Sequence, residues 1–118
     1  MKTAEYWEIS ERNMNPTPRE REVCDIAIRA VCEAYGLTEE ALFAPTRKVE
    51  VSVPRNVAMG IASRMKARQV IIGKRFGKCR TAAAYAKKLL DAELFMRNGK
   101  AEEAIRIAER LNNERIAR

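Results

Sequence analysis

Histidine is absent from this 118-residue chain. Without imidazole a zinc site would need an unusual ligand set, and the side chain most used for acid–base catalysis is missing. Cysteine is scarce. Cys24, Cys32 and Cys79 are odd in number and widely spaced, a pattern of buried reduced thiols and not of a disulfide framework. Long apolar runs are lacking, so no segment is expected to span a membrane. The first residues, Met1 to Trp7, hold no apolar signal core. The expectation is therefore a cytoplasmic protein in a reducing compartment. No phosphate-binding glycine loop occurs, and no serine or cysteine stands beside a base. The sequence calls for no cofactor and no metal, and an enzyme is the least supported class.

Acidic residues are also missing, but only from one region. Residues 1–43 carry 5 Lys/Arg against 9 Asp/Glu, a net of −4. Residues 44–88 carry 12 Lys/Arg against Glu50 alone, a net of +11, and residues 89–118 balance at 6 and 6. A surface that only needs solvation mixes its signs, whereas a polyanion-binding surface concentrates one of them.

What is present is helical periodicity. Thr17, Pro18 and Glu20 form a capping-box start. Val23, Ile26, Ala27, Ala30, Val31 and Ala34 then mark one apolar face, and Gly36 ends it. Thr38 to Phe43 reads as a short helix closed by Pro45. Residues 46–53 are basic and β-branched, but no partner strand exists elsewhere. The stretch reads as an extended loop, with Pro54 opening the next helix through Val57, Ala58, Ile61, Ala62 and Met65. Ala67 to Arg75 reads as a short helix, Phe76-Gly77-Lys78 as a turn, and Cys79 to about Arg97 as a longer helix stopped by Asn98-Gly99. A last helix from Lys100 to about Ile116 places Ala101, Ala104, Ile105, Ala108 and Leu111 on one face. The expectation is an all-α fold of six helices. Its parts are a loosely ordered 1–15, a core domain over 16–97, and an additional C-terminal helix within 98–118. The last helix either folds back on the core or pairs with a second copy to make a homodimer; the pattern leaves both open.

The segment 67–91, helix then glycine turn then helix, fits a helix-turn-helix, although a plain helical hairpin fits the same pattern. In a helix-turn-helix the second helix presents its N-terminal residues to the major groove. Spacing turns Ala83, Ala86 and Leu90 inward and leaves Arg80, Ala84, Lys87 and Lys88 outward. Small alanines there permit close approach, and their methyls can meet thymine methyls.

Several runs resemble a known family: Val31-Cys32-Glu33-Ala34-Tyr35-Gly36-Leu37, Thr46-Arg47-Lys48, Pro54-Arg55-Asn56-Val57-Ala58-Met59, Ile72-Gly73, Phe76-Gly77 and Lys78-Cys79-Arg80-Thr81. In order and spacing they are similar to the C-terminal DNA-binding domain of the bacterial replication initiator DnaA, whose helix-turn-helix resembles that of the Trp repressor. The resemblance implies double-stranded DNA as partner. It implies that Arg47, with Lys48 beside it, enters a minor groove. It implies that Arg55, with Asn56, binds phosphate at a helix start. It places Lys78, Arg80 and Thr81 at the start of the recognition helix, whose outer face continues through Ala84, Lys87 and Lys88. The family carries Arg-Asp-His-Thr-Thr at that start, after one more glycine, where this chain has Lys-Cys-Arg-Thr-Ala. Aspartate and histidine are thus replaced at base-reading positions while phosphate binding is unaffected. The implied role is replication control or transcription regulation by the initiator-type fold without its motor, as in a phage or mobile element. An adaptor or assembly protein whose helices bind protein is the alternative.

Overall fold

Six helices follow one another in the computed structural model, which describes residues 15–95 and 99–117. They are α1 (Pro18–Tyr35), α2 (Glu39–Leu42), α3 (Val49–Arg64), α4 (Gln69–Phe76), α5 (Arg80–Phe95) and α6 (Gly99–Ala117). No strand occurs among the described residues. The fold is all-α, as the periodicity implies. The expectation for residues 1–14, and for the stop at Asn98, lies outside the described residues.

The start of α1 is the capping box expected of Thr17-Pro18-Arg19-Glu20. Thr17 N–H donates to Glu20 Oε1 at 3.0 Å, and Glu20 N–H donates to Thr17 Oγ1 at 3.1 Å. Val23, Cys24, Ala27, Ile28, Ala30 and Val31 are buried along one face. Gly36 ends the helix in the left-handed region at φ +68°, and Leu37 N–H returns to Cys32 O at 2.9 Å. Thr38 Oγ1 then caps α2 by accepting from Ala41 N–H at 3.0 Å.

The next boundary differs from expectation. The extended loop anticipated over 46–53 is shorter, because α3 begins at Val49 and carries Pro54 inside it. The first turn of a helix needs no intrahelical acceptor for its N–H groups. A proline soon after that turn deprives only one carbonyl, that of exposed Glu50, which water can serve. Meanwhile Val53 packs on the core and Pro54 is buried. Burial of these side chains outweighs the weak β preference of Val49, Val51 and Val53.

Helix α3 is the hub. From Pro54 to Ala62 every residue except Asn56 is buried, as suits a helix surrounded by protein. It touches each of the other five helices. Its closest crossing is with α5. A Cβ built on Gly60 would lie 2.8 Å from Leu90 Cβ and 3.1 Å from Ala86 O, so the two backbones approach to a distance that excludes any side chain at position 60. Helix α6 resolves the choice that the sequence leaves open. It folds back on α1, and Ala101, Ala104, Ile107, Ala108 and Leu111 enter the common core. Ile105 is only half-buried; Ile107 takes the central place. This stripe is thus occupied within the chain. Ion pairs Arg115–Glu22 at 3.1 Å and Arg110–Glu33 at 3.5 Å fringe the contact.

One position stores strain. Lys66 follows α3 with φ +74°, the one described non-glycine residue at positive φ, and Ala67 N–H donates to Ala62 O at 3.1 Å in the same closing pattern that Gly36 serves. The left-handed conformation costs a residue with a Cβ about 1–2 kcal/mol, part of which glycine returns through its freer unfolded state. Lys66→Gly is therefore expected to raise stability by about 0.5–1 kcal/mol, read as a higher urea midpoint with an unchanged m-value. A lower midpoint would show that the lysine side chain contributes more than its backbone costs.

Candidate nucleic-acid interface

The position of the helix-turn-helix is set from outside it. Helix α4 has no side-chain cap of its own at Arg68. The Glu20 carboxylate supplies one from α1. Its Oε2 accepts from Arg68 N–H at 3.0 Å and from Arg68 Nε at 2.9 Å, and its Oε1 accepts from Arg68 Nη2 at 2.9 Å. The carboxylate of Glu20 is buried at 6 % exposure, and the Arg68 guanidinium bonded to it holds it down at about 2.

The turn itself rests on two glycines. Gly77 ends α4 at φ +66°, and Lys78 N–H donates back to Gly73 O at 2.7 Å. A Cβ on Gly73 would stand 2.6 Å from Lys78 O and 3.0 Å from Cys79 O. Any side chain there would pry α4 from α5. Phe76 is buried between them and its ring lies 5.3 Å from that of Phe43. Ala83, Ala86 and Leu90 seat α5 on the core, as their spacing implies.

The positive charge of residues 44–88 divides into two sets. Four guanidiniums are engaged within the fold. Arg68 is bound to Glu20. Arg64 pairs with Asp91. Arg75 pairs with Glu39 at 3.0 Å and lies 5.0 Å over the Phe43 ring. Arg55 is buried at 8 % exposure, and donates from Nε to Leu42 O at 3.0 Å, from Nη2 to Ala44 O at 2.7 Å and from Nη1 to Thr46 O at 3.4 Å. Arg55, expected as a phosphate ligand, thus has a structural use within the fold. Its fork is spent on the carbonyls that follow α2, and its work is to hold the 44–48 loop. The other cations of this segment, Arg47, Lys48, Lys66, Lys74, Lys78, Arg80, Lys87 and Lys88, are exposed and have no acidic partner among the described residues.

Two members of this second set share a groove. Arg47, Arg55 and Lys78 line a groove between the loop and the start of α5, together with Thr46, Ser52, Asn56, Met59 and Ala82. Asn56 is half-buried on α3 where it meets α5. Lys78, Arg80 and Thr81 are exposed at the start of α5, Ala84 is half-buried, and Lys87 and Lys88 continue outward along the helix. Lys48 is exposed beside Arg47. One residue departs from the sequence reading. Cys79 is exposed and not a core thiol, because it sits in the turn; Cys24 is buried, and that burial pushes its thiol up to about 11. Tyr85 is exposed on α5, in keeping with the inward spacing of Ala83, Ala86 and Leu90.

Residues 24–89 match the family described as the bacterial dnaA protein helix-turn-helix. The match covers more than half of the chain and takes in α4, its glycine turn and the first part of α5. The chain belongs to this family. No curated protein matches it. The DnaA-type match ends within α5, so α6 is an addition outside it. Within the family's segment, Gly73 and Gly77 meet steric needs of the turn, and Arg55 meets a hydrogen-bonding need of the loop before α3.

Two outcomes follow from this geometry. Glu20 has a folded-state value below its ordinary 4.5. Its contribution is therefore present above about pH 4.5 and is lost as pH falls toward about 2. Glu20→Gln is expected to cost about 1–3 kcal/mol at neutral pH, and the gap to the parent should close as pH drops through that window in urea titrations. A gap independent of pH would mean that shape, not charge, is what Glu20 supplies. Arg55→Ala strands the carbonyls of Leu42, Ala44 and Thr46, and should lower stability by about 2–3 kcal/mol. A variant as stable as the parent would show that water replaces the guanidinium.

Proposed function

We propose that this chain is a sequence-preferring, double-stranded DNA-binding protein that acts by recognition and not by catalysis, in control of replication or transcription inside the cell. The observation that carries the reading is the cation set without acidic partners on α5 and the adjoining loop, set on a helix-turn-helix of a DnaA-type family. The N-terminal end of α5 enters the major groove, where Arg80 reaches guanine O6 and N7. The loop brings Arg47 to the neighbouring minor groove, whose narrow A·T-rich form attracts a guanidinium. Lys78, Lys87 and Lys88 hold phosphates on either side. Each chain contributes one recognition helix, since the apolar stripe of α6 is occupied by α1.

Selection from a random duplex pool tests this. The parent should enrich a defined site. Arg80→Ala should relax one or two base pairs of it, at about 1–3 kcal/mol on the best sequence. Arg47→Ala should relax only an adjacent A·T-rich flank. The joint substitution Lys87→Ala and Lys88→Ala should leave the selected site alone. It should also flatten the slope of log affinity against log salt by about 0.9 for each phosphate that is no longer neutralised. If Arg80→Ala and Arg47→Ala enrich the parent's site at lower yield, both arginines hold phosphate only and the sequence-reading part of the proposal fails. A parent that binds no duplex, but forms a stable complex with another protein, would support the adaptor reading instead.

A further inference from the structure

Three large apolar side chains are prominently exposed among the described residues: Val49, Tyr85 and Ile116. Ile116 is near the end of α6, away from the helix-turn-helix in sequence. Val49 directly follows Arg47 and Lys48, and Tyr85 lies in α5, 61 % exposed. Single exposed apolar residues are common and need no explanation. The setting of Tyr85 is what distinguishes it.

Tyr85 is one turn on from Thr81 and three residues from both Ala82 and Lys88, so these four are surface neighbours. Helical side chains lean toward the N-terminus of their helix. The Tyr85 ring therefore leans over Thr81 and Ala82, and Ala82 lines the groove that also holds Arg47 and Lys78. The ring stands on the same outward face as Lys88, with small side chains at positions 82 and 84 beside it. No aromatic or charged partner engages it among the described residues. A large rigid ring thus projects from the early part of the recognition helix, between the end that carries Arg80 and the loop that carries Arg47.

We propose that Tyr85 is a base-reading residue of this protein and that its ring packs against the 5-methyl group of a thymine, at the side of the site nearer the flank reached by Arg47. The inference rests on the double-stranded DNA reading above. The major groove offers one apolar landmark, the thymine methyl, and a ring that brings apolar surface at little entropic cost is suited to meet it. The ring is the reading element. The hydroxyl is not needed for it.

The test uses the intact chain, with helix content of each variant checked by circular dichroism. Parent, Tyr85→Phe and Tyr85→Ala are each taken through selection from a random duplex pool. The selected duplex is then remade with uracil in place of each invariant thymine, which removes only the methyl. The parent should select a thymine at one position that Tyr85→Ala no longer selects, and uracil there should weaken parent binding about fourfold, as expected for one buried methyl. Tyr85→Phe should retain both the preference and the uracil penalty, and Tyr85→Ala should show neither. Unchanged selection and an unchanged uracil penalty in Tyr85→Ala would overturn the assignment while leaving duplex binding intact. A loss in Tyr85→Phe equal to that in Tyr85→Ala would overturn it too, because the hydroxyl would then be the contact. Failure of the parent to bind any duplex would bring down the DNA reading itself, and this assignment with it.

Discussion

The arrangement depends most on one buried carboxylate. Glu20 closes the capping box of α1, receives the first free N–H of α4, and takes the Arg68 guanidinium on both of its oxygens. A carboxylate withdrawn from water is stable only when its lone pairs are filled, and here they are. Because the partners lie 48 residues apart, the bond fixes the start of the helix-turn-helix relative to the start of the fold. Given that anchor, the short α4 and the Gly73 turn transmit the placement to α5 with little slack, since Gly73 Cα sits almost against the backbone of residues 78 and 79.

The second organising rule concerns which cation goes where. Segment 44–88 has six arginines, and four of them are engaged by other groups of the fold: Arg55 on three carbonyls, Arg64 on Asp91, Arg68 on Glu20 and Arg75 on Glu39 and the Phe43 ring. A planar fork with five donors suits such multiple, directional demands, and an ammonium does not. The lysines of this segment are all left outside. Two of the arginines, Arg47 in the loop and Arg80 at the start of α5, have no acidic partner among the described residues. The net charge of the segment therefore overstates what is offered to a polyanion.

Helix number, the Thr17 cap, the glycine stops at Gly36 and Gly77, and the inward face of α5 are all legible in the sequence, because each rests on local spacing or local backbone need. Three things are not. The start of α3 is hidden because β-branched residues before a proline resemble extended chain, whereas the deciding factor is burial of Val53 and Pro54 against distant helices. The structural use of Arg55 is hidden because a sequence shows a charge without showing the carbonyls of Leu42, Ala44 and Thr46 that surround it. The destination of α6 stays open because an apolar stripe fits α1 of its own chain as well as that of another. Tyr85 is legible in principle, since its neighbours' inward spacing leaves it outside, but charge draws attention to the lysines around it.

Two kinds of position thus separate within the family's segment. Gly60, Gly73, Gly77 and Arg55 answer to the fold: a crossing too close for a Cβ, a turn too tight for one, a left-handed cap, and a loop whose carbonyls need a fork. None of them projects outward at the start of α5. Lys78, Cys79, Arg80, Thr81 and Tyr85 do project, and none of them is buried. A substitution at Gly60 or Gly73 moves α5, and one at Arg55 frees the loop before α3; a substitution in the second group changes what α5 presents and leaves its placement alone. This independence accounts for a chain that keeps the frame of a DnaA-type helix-turn-helix while carrying Lys-Cys-Arg-Thr-Ala where the family pattern has Arg-Asp-His-Thr-Thr. Exchanging aspartate and histidine for an exposed thiol and a guanidinium alters the donors and acceptors that α5 presents without disturbing Ala83, Ala86 or Leu90 beneath them.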